Sequence, residues 1–227
     1  MNQLILPYQK NTKQTFSNFI RSNKLEDQII NNIKEIFFSS NNQLYLWSNT
    51  SCGKSHILYS ACNYFGNESK KCVYLPLKEL GSYGPDILLG FEQYDLICID
   101  DIDYMFGKSN WELAIFNLIN KILDNSHKII YTSSKSLLEK NISLQDLHSR
   151  LSWGLVFKLS SYSDDIKIKI LKKIIQENEY NISDNICSHL LKKETRDLSS
   201  LVKRLHKIGL YSLSINRRVS VRQLSEI

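Results

Sequence analysis

Short apolar runs alternate with helical patterns along the first two thirds of the chain. The runs, each four or five residues long, are Leu44–Trp47, Cys72–Leu75, Leu96–Ile99, Ile129–Thr132 and Leu155–Leu159. Before and between them, apolar residues recur at three- and four-residue steps, the period of an amphipathic helix. This pattern predicts helices over Leu25–Phe37, Ser55–Phe65 and Trp111–Leu123. Strands alternating with helices indicate a parallel sheet covered on both faces, so the predicted fold class is α/β.

The pattern changes after residue 160, where only helical periodicity continues. Each predicted helix follows a residue that favours the N-cap position, and these caps are Ser163, Ser183, Thr195 and Ser220. The first helix is predicted to reach about Asn178, the second about Lys193, and the last to cover Val221–Ile227. We therefore expect a flexible leader over 1–13, an α/β domain over 14–160 and a small helical lid domain over 161–227.

Composition and charge narrow the class of protein. The 227 residues are 42% hydrophobic, which excludes wholesale disorder. The sequence has neither an apolar run near the roughly 20 residues of a membrane span nor a secretory signal, so we expect a soluble cytoplasmic protein. Of the net charge of +6, residues 160–227 contribute +5, from 13 basic and 8 acidic side chains. This basic part fits an acidic partner, weak nucleic-acid contact or simply a solvated face.

The five cysteines show no metal-site or disulfide pattern. None forms a CxxC pair, and their spacing fits no zinc site. Such a scattered, odd-numbered set is typical of reduced thiols that serve as small buried hydrophobic residues.

The strongest chemical signal is the segment Ser48–Ser55, which reads Ser-Asn-Thr-Ser-Cys-Gly-Lys-Ser. It follows a predicted strand and opens a predicted helix, as a phosphate-binding loop requires. Backbone N–H groups at the helix start bind phosphate oxygens, Lys54 adds a positive charge at the β- and γ-phosphates, and Ser55 ligates Mg²⁺. The expected nucleotide-binding residues are Thr50, Ser51, Cys52, Gly53, Lys54, Ser55 and His56. Ser48 departs from the consensus, which has glycine there.

A second signal is the acidic pair that ends the strand Leu96–Ile99. Asp100 is placed to hold Mg²⁺ through water, and Asp101 to orient an attacking water. On its own the pair is a weak signal, because strand ends often carry Asp. Downstream of a phosphate-binding loop it becomes a strong one.

Two arginines are candidates for charge stabilisation of a transferring phosphate. Arg150 precedes the last predicted strand, and Arg196 is expected to start a lid helix. A guanidinium can act on a γ-phosphate within its own subunit or across an interface. From spacing alone, the interpretation as surface residues is favoured for both.

Taken in order along the chain, these motifs resemble those of the AAA+ ATPase module of the bacterial initiator DnaA family. The segments that carry the resemblance are Trp47–Leu58, Ile99–Ile102, Ser149–Gly154 and Thr195–Leu198. Within the family, Trp111–Leu118 and the end of the chain after the lid are similar to DnaA-homologous regulators that lack the DNA-binding helix-turn-helix domain. The leader segment Gln3, Leu4, Ile5, Leu6 and Pro7 is similar to their sliding-clamp-binding motif.

The resemblance implies roles for several residues. Lys54, Ser55 and Asp100 would bind ADP or ATP with Mg²⁺, Arg150 would be an arginine finger offered in trans, and Arg196 the sensor arginine of the lid. The first-sensor position is Ser134, where the DnaA branch usually has an acid, and this puts self-catalysed hydrolysis in doubt.

The implied function is negative regulation of replication initiation. The ADP-bound chain, expected as a homodimer, would bind the β sliding clamp, contact DNA only through it, and stimulate ATP hydrolysis by DnaA. The alternatives are an autonomous ATPase of the helicase-loader type and a DNA-binding adaptor that uses the basic lid. The role of Phe16 and Phe19 stays open between packing beside the adenine and anchoring the segment to the core.

Overall fold

The computed structural model describes residues 13–139, 141–183, 185–193 and 196–226. The helices are α1 (Lys24–Lys34), α2 (Lys54–Asn67), α3 (Leu77–Leu80), α4 (Ser109–Asp124), α5 (Gln145–Ser152), α6 (Asp164–Glu177), α7 (Asn185–Lys193) and α8 (Leu198–Ser214). The strands are β1 (Gln43–Trp47), β2 (Cys72–Pro76), β3 (Leu96–Asp100), β4 (Lys128–Ser133) and β5 (Leu155–Lys158). Short 3-10 helices cover Pro85–Leu88, Phe91–Gln93, Ile102–Met105 and Val221–Glu226.

The five strands form one parallel sheet in the order β2-β3-β4-β1-β5. Strands β3 and β4 are buried along their whole length, as expected for a parallel sheet with helices on both faces. The predicted α/β class is confirmed, and every predicted strand lies within one residue of its observed bounds. In parallel strands the carboxyl ends share one edge, so the ends of β1, β3 and β4 lie on the same side of the sheet.

The chain divides into two compact units. The first contains residues up to Phe19, Leu25–Trp47 and Gly53–Lys158; the second contains Ile20–Lys24, Ser48–Cys52 and Leu159–Ile227. The boundaries at 13 and 160 expected from sequence stay predictions.

The first unit has a core of aliphatic side chains around the sheet. Tyr45 of β1 and Tyr131 of β4 are fully buried in it, together with Ile99 of β3 and Ile115 and Ile119 of α4. Burial raises the pKa of both tyrosines well above the ordinary value, so both stay neutral and act as packing groups.

The second unit packs α6, α7 and α8 around a separate core, whose fully buried members are Leu171, Ile186, Cys187, Leu190, Leu201, Leu205, Ile208 and Val219. A parallel bridge between Ile182 and Val219 joins the segment before α7 to the segment after α8. No helix of the described residues is long and apolar enough to cross a membrane.

Only some of the N-cap residues predicted for the helices of the second unit are observed. Ser163 caps α6, where its side chain accepts a hydrogen bond from the Ile166 N–H. The expectation that Thr195 caps the next helix is wrong, because Asp197 occupies that position and accepts from the Ser200 N–H. Arg196 therefore precedes the cap and does not start the helix, which begins at Leu198. The segment after Ser220 is a 3-10 helix, and the position before α7 lies outside the described residues.

Candidate functional site

The start of α2 has the backbone form that phosphate binding needs. Gly53 is its N-cap and adopts a left-handed conformation with φ 81°, which a residue with a Cβ adopts only at a cost. Helix α2 then begins at Lys54, and Lys54 and Ser55 are both partly exposed. The first backbone N–H groups of a helix lack partners within it and carry a positive partial charge, so this end favours an anion.

The residues before Gly53 form a hydrogen-bonded turn. Ser48 is buried, its hydroxyl lies 3.1 Å from that of Thr50, and it accepts from the Thr50 N–H at 3.3 Å. Ser48 is not among the residues with positive φ, so the departure from glycine causes no backbone strain. The Ser48 side chain instead closes the turn.

Other bonds of the second unit hold Ser51 and Cys52. The Ser51 hydroxyl donates to Asp197 Oδ1 at 2.6 Å, and the Tyr162 hydroxyl donates to the Cys52 carbonyl at 2.8 Å. The Cys52 side chain is fully buried, which favours a structural role for this thiol.

Asp100 ends β3 as a buried carboxylate between two hydroxyl groups. Tyr74 donates to its Oδ2 at 2.5 Å, and Thr132 donates to its Oδ1. Burial and the adjacent Asp100 charge raise the pKa of Tyr74 well above its usual value, so Tyr74 is a permanent donor here. These two partners fix the orientation of Asp100, and sequence reasoning did not find either bond.

Asp101 adopts a left-handed conformation with φ 53° and is the N-cap of the 3-10 helix Ile102–Met105. Its N–H donates to the Thr132 hydroxyl at 3.1 Å. Burial, followed by the nearby charges of Asp100 and Asp103, raises the pKa of Asp101, while Lys54 opposes the shift. The charges of Asp103 and Lys54 thus both act on the Asp101 carboxylate.

Asp103 is a site residue that the sequence analysis missed. Its carboxylate accepts from the N–H of Ser134 at 2.9 Å and from the Ser134 hydroxyl. Ser134, the residue expected at the first-sensor position, is thus a neutral residue bonded to an acid from another element. The only sign of it in the sequence is that Asp103 is a third acidic residue, two positions after Asp101. Spacing alone does not show which residue its carboxylate contacts.

The donor set suits Mg²⁺ bound together with a nucleotide. The described residues contain no group of three or more His, Cys, Asp or Glu side chains arranged to hold a metal ion. Mg²⁺, however, is commonly held by one or two carboxylates, a hydroxyl, waters and substrate phosphates. The Ser55 hydroxyl and the Asp100 carboxylate are oxygen ligands of this kind. Asp101, whose pKa is raised by burial and then by the charges of Asp100 and Asp103, adds a further carboxylate next to Asp100 in sequence.

Arg150 lies on α5, and its guanidinium lies over the ring of Trp153, 4.4 Å from the ring centroid. Trp153 itself is 68% exposed. A guanidinium stacked on an exposed aromatic ring stays accessible while its orientation is restricted. Sequence analysis placed Arg150 before β5 but did not predict α5, so its helical setting is new.

Arg196 is exposed in the second unit. Its guanidinium is 4.0 Å from the Asp164 carboxylate, and 77% of its side chain is accessible. An exposed ion pair at this distance contributes little to stability. Arg196 is therefore not needed to stabilise the fold.

His56, Phe16 and Phe19 form one packed group in the first unit. His56 Nε2 lies 3.1 Å from the Thr15 carbonyl and 3.0 Å from Asn18 Oδ1, and its ring packs edge-on against Phe19. Phe16 packs edge-on against Tyr64 of α2. These contacts favour the anchoring interpretation for the two phenylalanines. The segment Gln3–Pro7 lies outside the described residues.

Comparison with known proteins agrees with this geometry. Residues 89–158, less than a third of the chain, match the sequence model of the bacterial DnaA ATPase domain. Among solved structures, domain III of the replication initiation protein DnaA from Thermotoga maritima superposes with a TM-score of 0.80 at 19% identity, over 96% of each chain. AMPPCP-bound DnaA from Aquifex aeolicus gives a TM-score of 0.70 at 20% identity, over 88% of this chain and 66% of that one.

A third structure, of a DNA replication initiation factor, gives a TM-score of 0.69 at 21% identity. This chain, 88% of which is covered, spans only 65% of that protein's length. At these identities the likeness establishes the fold. The resemblance predicted from the motifs is thereby confirmed at the level of the fold: the chain has the fold of DnaA domain III, and its residues 89–158 match the sequence model of the bacterial DnaA ATPase domain.

Proposed function

We propose that this protein is a nucleotide-binding AAA+ regulator of replication initiation that acts on the ATPase of DnaA, as a regulator of the Hda type. The observation that carries the proposal is the sequence Gly53-Lys54-Ser55, in which the left-handed Gly53 caps α2. It lies in a DnaA-type fold whose β3 ends in Asp100 and is followed by Asp101. The remaining parts of the proposal rest on the resemblance and on the placement of Arg150.

Nucleotide binding follows from the start of α2. The N–H groups after Gly53 would donate hydrogen bonds to phosphate oxygens, and the Lys54 ammonium would add charge-assisted hydrogen bonds. Ser55 and Asp100 would hold Mg²⁺, which neutralises phosphate charge when bound. Arg196, which is exposed and only weakly paired, would act as the lid's sensor arginine. One of the DnaA structures of the same fold is AMPPCP-bound, which supports an adenine nucleotide, ADP or ATP, as the ligand.

Hydrolysis by the chain itself is expected to be weak. Asp101 would orient the attacking water, but its backbone is left-handed and its pKa is raised by burial and by neighbouring acids. At the first-sensor position Ser134 is neutral and bonded to Asp103. Both features support a protein whose bound nucleotide regulates its activity and is hydrolysed only slowly.

The effector group in this proposal is Arg150, offered in trans to the ATP site of DnaA. Its guanidinium, stacked on an exposed tryptophan, is accessible to a partner. Arginine fingers supplied across an interface accelerate hydrolysis roughly 10³- to 10⁵-fold in other nucleotide hydrolases.

The leader would direct this activity to replicating DNA. Leu4 and Leu6 would enter an apolar pocket on the β sliding clamp, with Gln3 bonded at its rim and Ile5 and Pro7 completing the motif. The ADP-bound protein, as a cytoplasmic homodimer, would then meet DNA through the loaded clamp and convert DnaA to its ADP form, which suppresses re-initiation.

Nucleotide binding is tested with a fluorescent ADP analogue and Mg²⁺. We expect Lys54→Ala to weaken binding by roughly 10- to 100-fold, because a hydrogen bond to a charged group contributes about 1.5–3 kcal/mol. The matched control is Lys169→Ala, which removes an exposed lysine from α6. Equal affinities for the two variants would exclude the proposed phosphate site.

The regulatory step is tested by the ATP hydrolysis rate of DnaA with purified protein, ADP and DNA-loaded clamp. We expect Arg150→Ala to abolish stimulation while ADP and clamp binding persist, and Gln3→Ala/Leu4→Ala to abolish clamp binding and stimulation together. Full stimulation by Arg150→Ala would contradict the finger assignment.

Two other outcomes would move the function elsewhere. Strong hydrolysis by this chain alone, dependent on Lys54 and Asp101, would favour the helicase-loader type. Clamp-independent DNA binding that weakens steeply with salt would favour a DNA adaptor that uses the basic segment 160–227.

A further inference from the structure

A buried carboxylate outside the nucleotide site joins two loops of the first unit. Glu112 of α4 has no exposed surface. Its Oε1 accepts from the Gly107 N–H at 2.7 Å, and its Oε2 accepts from the Leu144 N–H at 2.8 Å. The Ser143 N–H donates to both oxygens at 3.1 Å. Burial of a charge is costly unless hydrogen bonds compensate it, and four such bonds do so here.

The two loops lead to different functional groups. Gly107 follows the 3-10 helix Ile102–Met105, whose N-cap is Asp101. Ser143 and Leu144 lead into α5, which carries Arg150. The Glu112 carboxylate is therefore bonded both to the turn that follows the acidic strand end and to the two residues that precede the arginine-bearing helix.

Helix α5 depends on this carboxylate because it has no cap of its own. Its N-cap residue is Leu144, which has no side-chain acceptor. Glu112 of α4 instead accepts from the N–H groups of Leu144 and of the preceding Ser143, and it places a negative charge near the positive end of the helix dipole. At the other end, Gln43 Nε2 donates to the Arg150 carbonyl at 2.9 Å. The eight-residue helix is thus held at both ends by side chains from other elements.

We propose that Glu112 is the positioning residue for Arg150, and that it links the turn behind Asp101 to the arginine-bearing helix. The inference rests on the proposed role of Arg150 as a finger. Displacement of a reacting group by about 1 Å can lower a rate roughly 100-fold. A loosened start of α5 should therefore reduce the effect of Arg150 without removing it.

The test is Glu112→Gln, which keeps the side-chain shape but replaces one acceptor oxygen by an NH₂ donor facing a backbone N–H. We expect hydrogen exchange at Gly107, Ser143 and Leu144 to accelerate by about tenfold, in line with a local opening. We expect the maximal stimulated rate of the partner ATPase to fall roughly 10- to 100-fold, while its half-saturating concentration and the affinity for ADP stay within about twofold, because the binding surfaces are unchanged.

Two controls separate positioning from general loss of stability. Ile119→Val removes one buried methyl group from the same helix and should lower the melting temperature without changing these amides or the stimulated rate. Arg150→Ala tests the finger itself. Unchanged amides or an unchanged rate in Glu112→Gln, with Arg150→Ala inactive, would overturn the positioning role and leave the proposed function intact. Full stimulation by Arg150→Ala would overturn both.

Discussion

A single polar side chain in this protein can accept hydrogen bonds from several groups at once. Asp197 caps α8 and accepts from the hydroxyls of Ser51, Ser199 and Ser200 as well as the Ser200 N–H. The bond from Ser51, followed by those from Ser199 and Ser200, holds the pKa of Asp197 well below its ordinary value. The ionised form of Asp197 is therefore the one that stabilises the fold.

The lowered pKa of Asp197 predicts how the free energy of unfolding depends on pH. The contribution of Asp197 should be complete above its unfolded pKa of about 3.9 and be lost as pH falls toward its lower folded pKa. We expect Asp197→Ala to lower the free energy of unfolding at pH 7 by about 1 kcal/mol. Asp197→Asn keeps a good cap and should cost less. Urea unfolding at pH 7 and pH 3 measures both, and a difference from wild type that did not shrink at pH 3 would contradict the assignment.

At the residue scale, local structure could be predicted from the sequence, whereas side-chain partners could not. The strand–loop–helix setting of Gly53, Lys54 and Ser55 was predictable because it depends on neighbours in the chain. The partners of Asp100 were not, since Tyr74 and Thr132 come from the two strands that flank β3. The cap of α8 was assigned to Thr195 because threonine favours that position, whereas Asp197 gains three hydroxyl donors there.

At the scale of elements, strands were predicted within a residue, while α5 was missed. Its eight residues have only two buried side chains, Leu147 and Leu151, which is too short a pattern to reveal a helical period. Tertiary contacts position α5. Glu112 bonds to the residues before its start, Gln43 bonds to the Arg150 carbonyl near its end, and Gly154 lies close to β1.

Gly154 provides the prediction at this scale. A Cβ at this position would lie 2.4 Å from the Gln43 carbonyl oxygen. That oxygen belongs to the first residue of β1 and cannot move without disturbing the sheet. We expect Gly154→Ala to lower the free energy of unfolding by about 1–3 kcal/mol, measured by urea denaturation. Ser152→Ala, at an exposed position two residues away, is the control, and equal stability of the two variants would show that the backbone adapts.

At the scale of the whole molecule, each of the two units has its own buried core. The three tryptophans, Trp47, Trp111 and Trp153, all belong to the first unit. Tryptophan fluorescence thus reports on that unit, whereas far-UV circular dichroism reports on the helices of both.

Separate cores predict that the two probes respond differently to a core mutation. Leu205→Ala in the second unit removes a fully buried leucine and should cost about 2–5 kcal/mol. We expect the dichroism transition in urea to shift more than the fluorescence transition, and Ile119→Ala in the first unit to shift fluorescence. Identical shifts of both probes for Leu205→Ala would mean that the chain unfolds as one cooperative unit.

The strand order has a further consequence, for self-association. The outermost strands of the sheet are β2, which ends in Pro76, and β5, which has four residues and ends in the exposed Lys158. Val156 of β5 is 43% exposed. A short edge bearing a lysine, and an edge that ends in proline, resist strand addition by another chain. Replacement of Lys158 by valine is thus expected to favour fibrous aggregates at high protein concentration.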